Sequence, residues 1–440
     1  MTLLKFEDSA RLSGRFLTRL LVRSLFRLLL LCLLLASGRP ARAQALSPLD
    51  SLQAAYPFLH TSANRIGNAE IGLQRFYQRL ARLPLHPAGL PGGRVSVVHI
   101  GDSHLQADVI SGRVRQELQR TYGNAGRGLI FPTRVARADG SPSFRTAPTA
   151  GQWLARRLLS KPDSLLPPVG LAGFVLSTAD SGAAFTLRIP ALRRPNYAFN
   201  KLTLLRRPGP AAFDWQVRSA QGRVLGTLAG ATASFATALV LDSLRDFAEL
   251  RATRTRPGQA GAQLYGLLLD NGQPGVVYHT IGVNGAAARH YNRTPLFFEQ
   301  LPVLAPDLLI ISLGTNDAYE PGFNPAAFQQ QLDTLVGRLR RRCPQADVLL
   351  TGPADSYRQR RAPNPDLPRL RAVLRAYAQA HDLAYWDFAA VQGDYGSLRT
   401  WLAQGLAAPD LVHFTNKGYD LQGLLLYLAL QDGFTAHPLR

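Results

Sequence analysis

Short apolar runs rich in branched side chains recur along the chain. They lie at Arg94–Ile100 (ending at Gly101), Val276–Thr280, Leu308–Leu313, Val348–Thr351 and Ala384–Phe388. Stretches with helical spacing stand among them: Leu105–Tyr122 before Gly123, Phe328–Arg342 before Pro344, Leu367–His381 and Lys417–Gln431. A run apolar at nearly every position suits a strand buried on both faces, and strands alternating with helices predict a parallel sheet covered on both sides. The middle of the chain has a different rhythm. Phe174–Leu176, Phe185–Ile189, Leu202–Leu205, Phe213–Val217 and Ala238–Leu241 are short β-like runs punctuated by Gly, Pro and Asn, at about the spacing of a sandwich. The expected organisation is a helical lead-in over 44–90, an α/β domain split between 91–135 and 273–440, and an all-β, sandwich-like insert over 136–272.

Composition adds a core and an address. Hydrophobic residues make up 46% and charged residues 18%, enough to bury a core and unlike a disordered chain. Arginines at 11, 15, 19, 23 and 27 precede the apolar run Leu28–Ala36, which is followed by Ala41-Arg42-Ala43. That order predicts a secretory signal peptide over 1–43, cleaved after Ala43, with an apolar core too short to persist as a bilayer span. Cys32 lies inside it without the small residues of a lipoprotein box. The expectation is an exported protein, periplasmic or extracellular, with no transmembrane anchor after cleavage. Of 50 Lys/Arg and 29 Asp/Glu, the first 43 residues hold eight and two, so the remainder keeps a net charge of +15. Such a charge suits anionic partners. The arginines are scattered, with no basic stripe interleaved with aromatics, which argues against nucleic acid. Only Cys343 remains after cleavage, which excludes an internal disulfide and a cysteine-based metal site.

Three segments carry chemistry. Gly101-Asp102-Ser103-His104 follows a strand and opens a helix, where a serine hydroxyl is exposed and its amide lies near a helix N-terminus. Gly314-Thr315-Asn316-Asp317 follows another strand and falls on the same sheet edge; an asparagine amide there can donate to a developing oxyanion. Asp410-Leu411-Val412-His413 supplies a base and a carboxylate to orient it, which a serine nucleophile requires. Asp102 is expected to brace the nucleophile turn, His104 to make a supporting hydrogen bond, and Asp317 to be structural. Asp355 and Tyr357 fall in the turn after Val348–Thr351, near the same edge. There is no Gly-x-Ser-x-Gly elbow, Walker loop or His-Glu-x-x-His motif.

These segments, with Ile281-Gly282-Val283-Asn284-Gly285-Ala286, resemble the sequence blocks of the SGNH (GDSL-like) hydrolases, with His104 where leucine is commoner. The resemblance implies a three-layer α/β/α fold and a triad of Ser103, Asp410 and His413. It implies an oxyanion hole from the Ser103 amide, a glycine amide (Gly285, with Gly282 as the alternative) and Asn316, and it calls for no metal or organic cofactor. The long gap between Ser103 and Gly285, and Gly396–Trp401 before the Asp-x-x-His, resemble periplasmic peptidoglycan and polysaccharide O-acetylesterases that carry a carbohydrate-binding-like β insert. The implied substrate is an O-acetylated polysaccharide or peptidoglycan. The same triad serves an O-acetyltransferase, and a dormant glycan-binding protein is a further alternative.

Overall fold

The computed structural model describes residues 47–83, 93–161, 166–191 and 195–436. The expected signal peptide with Cys32, and the proline-rich end of the lead-in from Pro84, lie outside the described residues. One sheet carries the α/β part. From one edge its strands are Ile66–Gly67, Ala384–Asp387, Asp347–Gly352, Leu308–Ser312, Arg94–Gly101 and Gly275–Gly282. All neighbours run parallel except Ile66–Gly67, which pairs antiparallel with Tyr385 and Trp386. Burial on both faces accounts for the unbroken apolar runs: Val97, Val98, Ile100, Leu308, Leu309, Ile310, Leu349 and Leu350 are all buried. Helices Gln74–Arg82, Ile110–Tyr122 and Asn416–Ala436 meet through Tyr77, Tyr122 and Phe434. Pro325–Arg342 and Asp366–Ala380 pack against each other elsewhere on the sheet.

Two elements depart from the pattern. The lead-in contributes an edge strand as well as helices, and its last helix buries Phe76, Tyr77 and Leu80. The Asp347 carboxylate accepts the Phe76 amide at 2.8 Å and the Arg75 guanidinium at 3.0 Å, which fastens that helix to the sheet. The expected helix over Leu105–Tyr122 is two, Ser103–Gln106 and Ile110–Tyr122, broken where Asp108 adopts φ 56°.

The described residues between 128 and 270 form antiparallel sheets. One holds Arg145–Ala150, Ala184–Arg188, Asp214–Arg218, Val224–Leu228 and Phe247–Thr253; the other holds Leu154–Arg157, Phe174–Thr178, Phe199–Arg206, Ala236–Arg245 and Ala262–Asp270, with Gly128–Ile130 added alongside the last. Phe185 and Trp215 of the first sheet meet Trp153, which immediately precedes a strand of the second.

A buried ionic cluster ties this β region to the parallel sheet. Asp108 Oδ2 accepts Arg115 at 2.7 Å, Arg127 at 2.5 Å and the Ser141 hydroxyl at 2.6 Å, while Oδ1 accepts Thr280 at 2.8 Å. Arg127 also donates to Ser143, and Arg115 to the Tyr197 hydroxyl. Burial alone would raise the Asp108 carboxyl, but the two guanidiniums outweigh it and hold it well below the usual carboxylate range. Removing that charge strands two buried cations. Asp108→Asn should therefore lower unfolding free energy by about 3–5 kcal/mol, read from the denaturant midpoint at constant m-value. A loss under about 1 kcal/mol would mean that the arginines find other acceptors.

Candidate active site

Three strand ends stand side by side. Gly101 is in register with Gly282 on one flank and Ser312 on the other, so the chain leaves the sheet at one level in all three places. Beyond the carboxyl ends of such strands lies the crevice where ligands bind in open α/β sheets. Gly101 allows a close approach: a Cβ there would lie 2.5 Å from Leu105 Cδ1 and 2.9 Å from the Ser312 carbonyl oxygen. Ser103 opens the following helix, and Asp102 caps it by accepting the His104 amide at 3.0 Å. Burial pushes the Asp102 carboxyl up to about 7, against the lowering effect of hydrogen bonds from the His104 amide and Asn316.

The segment before the last helix brings His413 across to Ser103. Asp410 Oδ1 accepts the amides of Val412 and His413, both at 2.9 Å, and Oδ2 pairs with His413 Nδ1 at 2.7 Å. Burial raises the Asp410 carboxyl, but these bonds more than offset it, so the group sits below its ordinary value and stays ionised. A carboxylate at Nδ1 fixes the proton there and leaves Nε2 free to accept. His413 Nε2 lies 2.8 Å from Ser103 Oγ. Leu411, between the two residues, adopts φ 58°, which turns the chain back sharply enough for both side chains to meet.

Ser103, Gly285, Asn316, Asp410 and His413 line one cleft of about 780 Å³. Gly285 has φ +79°, while Gly282 remains in its strand, where a Cβ would lie 2.5 Å from the Gln106 amide; the cleft is lined by Gly285 and not by Gly282. The strand runs to Gly282, two residues past the expected Thr280. Asn316 Nδ2 donates to the Ala286 carbonyl at 3.0 Å and to Asp102 Oδ2 at 3.3 Å. Among the described residues neither the Ser103 nor the Gly285 amide donates to an acceptor, which leaves both free for an incoming oxygen.

His104 packs beside His413, with ring centroids 5.1 Å apart, and its Nδ1 pairs with the Tyr419 hydroxyl at 3.1 Å. Burial and the nearby His413 lower its pKa to about 3, so it is a neutral support. Asp317 Oδ1 accepts the Ala288 amide at 3.2 Å, and burial raises its carboxyl to about 6. Asp355 and Tyr357 do not line the cleft. The Asp355 carboxylate accepts the Leu398 amide, and the Tyr357 amide donates to the Leu411 carbonyl.

Sequence reasoning missed Gln106, whose Oε1 accepts the Asn284 amide at 2.6 Å and so holds the Gly285 turn against the Ser103 helix. Its position three residues after Ser103, on the same helix face, was the available signal. Asp139, Tyr319, Gln359 and Arg360 also line the cleft, from loops that no periodicity announces. Among the described residues no cluster of three or more His, Cys, Asp or Glu side chains could hold a metal ion, and no helix is long and apolar enough to cross a membrane.

This sheet, with these three segments at its carboxyl edge, has the arrangement of an SGNH-type ester hydrolase. Residues 242–421 match the model of the GDSL-like lipase/acylhydrolase family, a span that includes Asn316, Asp410 and His413 and begins after Ser103. A solved structure of a peptidoglycan O-acetylesterase is 21% identical, with TM-score 0.69, covering 84% of this chain and 98% of its own; it shares the fold. A family two carbohydrate esterase from Cellvibrio japonicus is 13% identical, with TM-score 0.30, covering 67% of this chain and 98% of its own. No curated protein matches the chain.

Proposed function

We propose that this ester hydrolase removes O-acetyl groups from an envelope polysaccharide such as peptidoglycan, after export directed by residues 1–43. Ser103, His413 and Asp410 act as its triad. What carries the proposal is the unbroken chain of hydrogen bonds from Asp410 Oδ2 through the His413 ring to Ser103 Oγ, at the wall of the cleft. His413 Nε2 takes the Ser103 proton as Oγ bonds to the acetyl carbon. The carbonyl electrons move onto oxygen, which the Ser103 and Gly285 amides and the Asn316 side chain then receive. Collapse of the intermediate breaks the bond to the sugar oxygen, which leaves with the proton from His413. Water, deprotonated by His413, then releases acetate and restores Ser103. Residues 136–272 are proposed as an insert within a hydrolase domain formed by 91–135 and 273–440.

The chain from Gln44 onward should release 4-nitrophenol from 4-nitrophenyl acetate and free acetate from O-acetylated peptidoglycan, with water as acceptor. Acetate conserved on an added oligosaccharide, and not released, would assign an acetyltransferase instead. A folded protein active on neither substrate would overturn the proposal.

A further inference from the structure

A hairpin over Tyr357–Pro363 overhangs the cleft and carries three arginines, Arg358, Arg360 and Arg361. Arg358 is fully committed to the protein: its guanidinium donates to the carbonyls of Tyr319 and Ala318 and to Asn364 and Asp366, all within 2.9 Å. The Tyr357 amide donates to Leu411, between the two residues of the acid–base turn, at 2.7 Å. The hairpin is thus held by the segment that follows Asn316 and by the turn that carries Asp410 and His413.

Its tip is strained. The Arg361 amide donates to the Arg358 carbonyl across a two-residue turn in which Gln359 and Arg360 have φ 53° and 61°. A turn with both central φ values positive favours Asn-Gly or a similar pair, and neither residue here is of that kind. Such strain persists where the surroundings impose it, and it gathers at ligand clamps. Gln359 and Arg360 both line the cleft that holds Ser103, and Arg360 is its one cation among the described residues. No ion pair to Arg360 is formed among those residues. The acids of the cleft are engaged elsewhere, Asp410 with His413 and Asp139 with Asn284.

We infer that Arg360 is a specificity-determining residue that receives a carboxylate carried by the acylated saccharide; this rests on the esterase function proposed above. A guanidinium matches the two oxygens of a carboxylate in a paired geometry. One cation in a cleft that also holds Asp139 and Asp410 suits a single negative charge better than a phosphate dianion. Holding the saccharide by its carboxylate would orient the ester toward Ser103 and give the strained tip its use.

The test compares an O-acetylated oligogalacturonate, with a carboxylate on every sugar, and the same oligomer converted to carboxamides. Wild-type protein should favour the carboxylate form in kcat/KM by roughly 10–100-fold, as expected for a charged hydrogen-bond pair. Arg360→Gln should bring that ratio close to 1, and Arg360→Lys should keep part of it. Arg360→Gly, which suits the positive φ, should melt at or above the wild-type temperature while losing the preference, so that loss of fold cannot explain the result. A wild-type ratio near 1, or a ratio unchanged in Arg360→Gln, would overturn the inference. Hydrolysis of 4-nitrophenyl acetate by the wild type and its loss in Ser103→Ala report separately on the underlying activity.

Discussion

Ser103→Ala and His413→Ala should each lower kcat by about 10³-fold or more, with the melting temperature nearly unchanged. The size follows from the geometry. Ser103 Oγ is the atom that would bond to the acyl carbon, and the one base within reach among the described residues is His413 Nε2, at 2.8 Å. Without the hydroxyl there is no acyl-enzyme; without the imidazole the hydroxyl keeps its proton. Because the two act as one unit, the double variant should be little slower than either single one, and the remaining rate should reflect the oxyanion-binding groups alone. Both side chains are part-exposed at the cleft, so truncation leaves no large buried hole. Unimpaired turnover by folded Ser103→Ala would eliminate the assignment.

Asn316→Ala should reduce kcat by about 10²–10³ with KM little changed, if its amide donates to charge that develops only in the transition state. The side chain now bonds firmly to the Ala286 carbonyl and more loosely to Asp102 at 3.3 Å. The looser bond is the one that an oxyanion can replace. Its acceptor is a carboxyl whose pKa burial raises well above the ordinary value, which makes it a weaker competitor. A loss confined to KM would make Asn316 a ground-state contact. A large fall in melting temperature would make it a brace for the Asp102 turn.

The parts of the fold legible from the chain are those in which local pattern and burial agree. Arg94–Gly101 and Leu308–Ser312 are apolar at nearly every position because the sheet is covered on both faces, and the chemistry sits directly after each. The Asp410–His413 spacing is legible because a single turn closes it. What stayed hidden depends on distant partners. Ile66–Gly67 is a two-residue strand whose pairing is set by Tyr385 and Trp386, hundreds of positions away. The break at Asp108 follows from the arginines and hydroxyls that converge on its carboxylate, and no local signal separates Leu105–Tyr122 into two helices. The Gln359–Arg360 turn lacks the glycine or asparagine that usually betrays positive φ, so its place over the cleft emerges only from the folded chain.

The Asp108 cluster also limits how freely the β region could be exchanged during evolution or in engineering. A donor sheet with matching end points would still have to supply hydroxyls where Ser141 and Ser143 stand and a phenol where Tyr197 stands. It would also need a backbone edge for Gly128–Ile130 to join. A graft without them leaves Arg115 and Arg127 short of partners in the interior of the recipient. The seam behaves less like a linker than like a lock cut for one key, and divergence on either side of it is tolerable only when both sides change together.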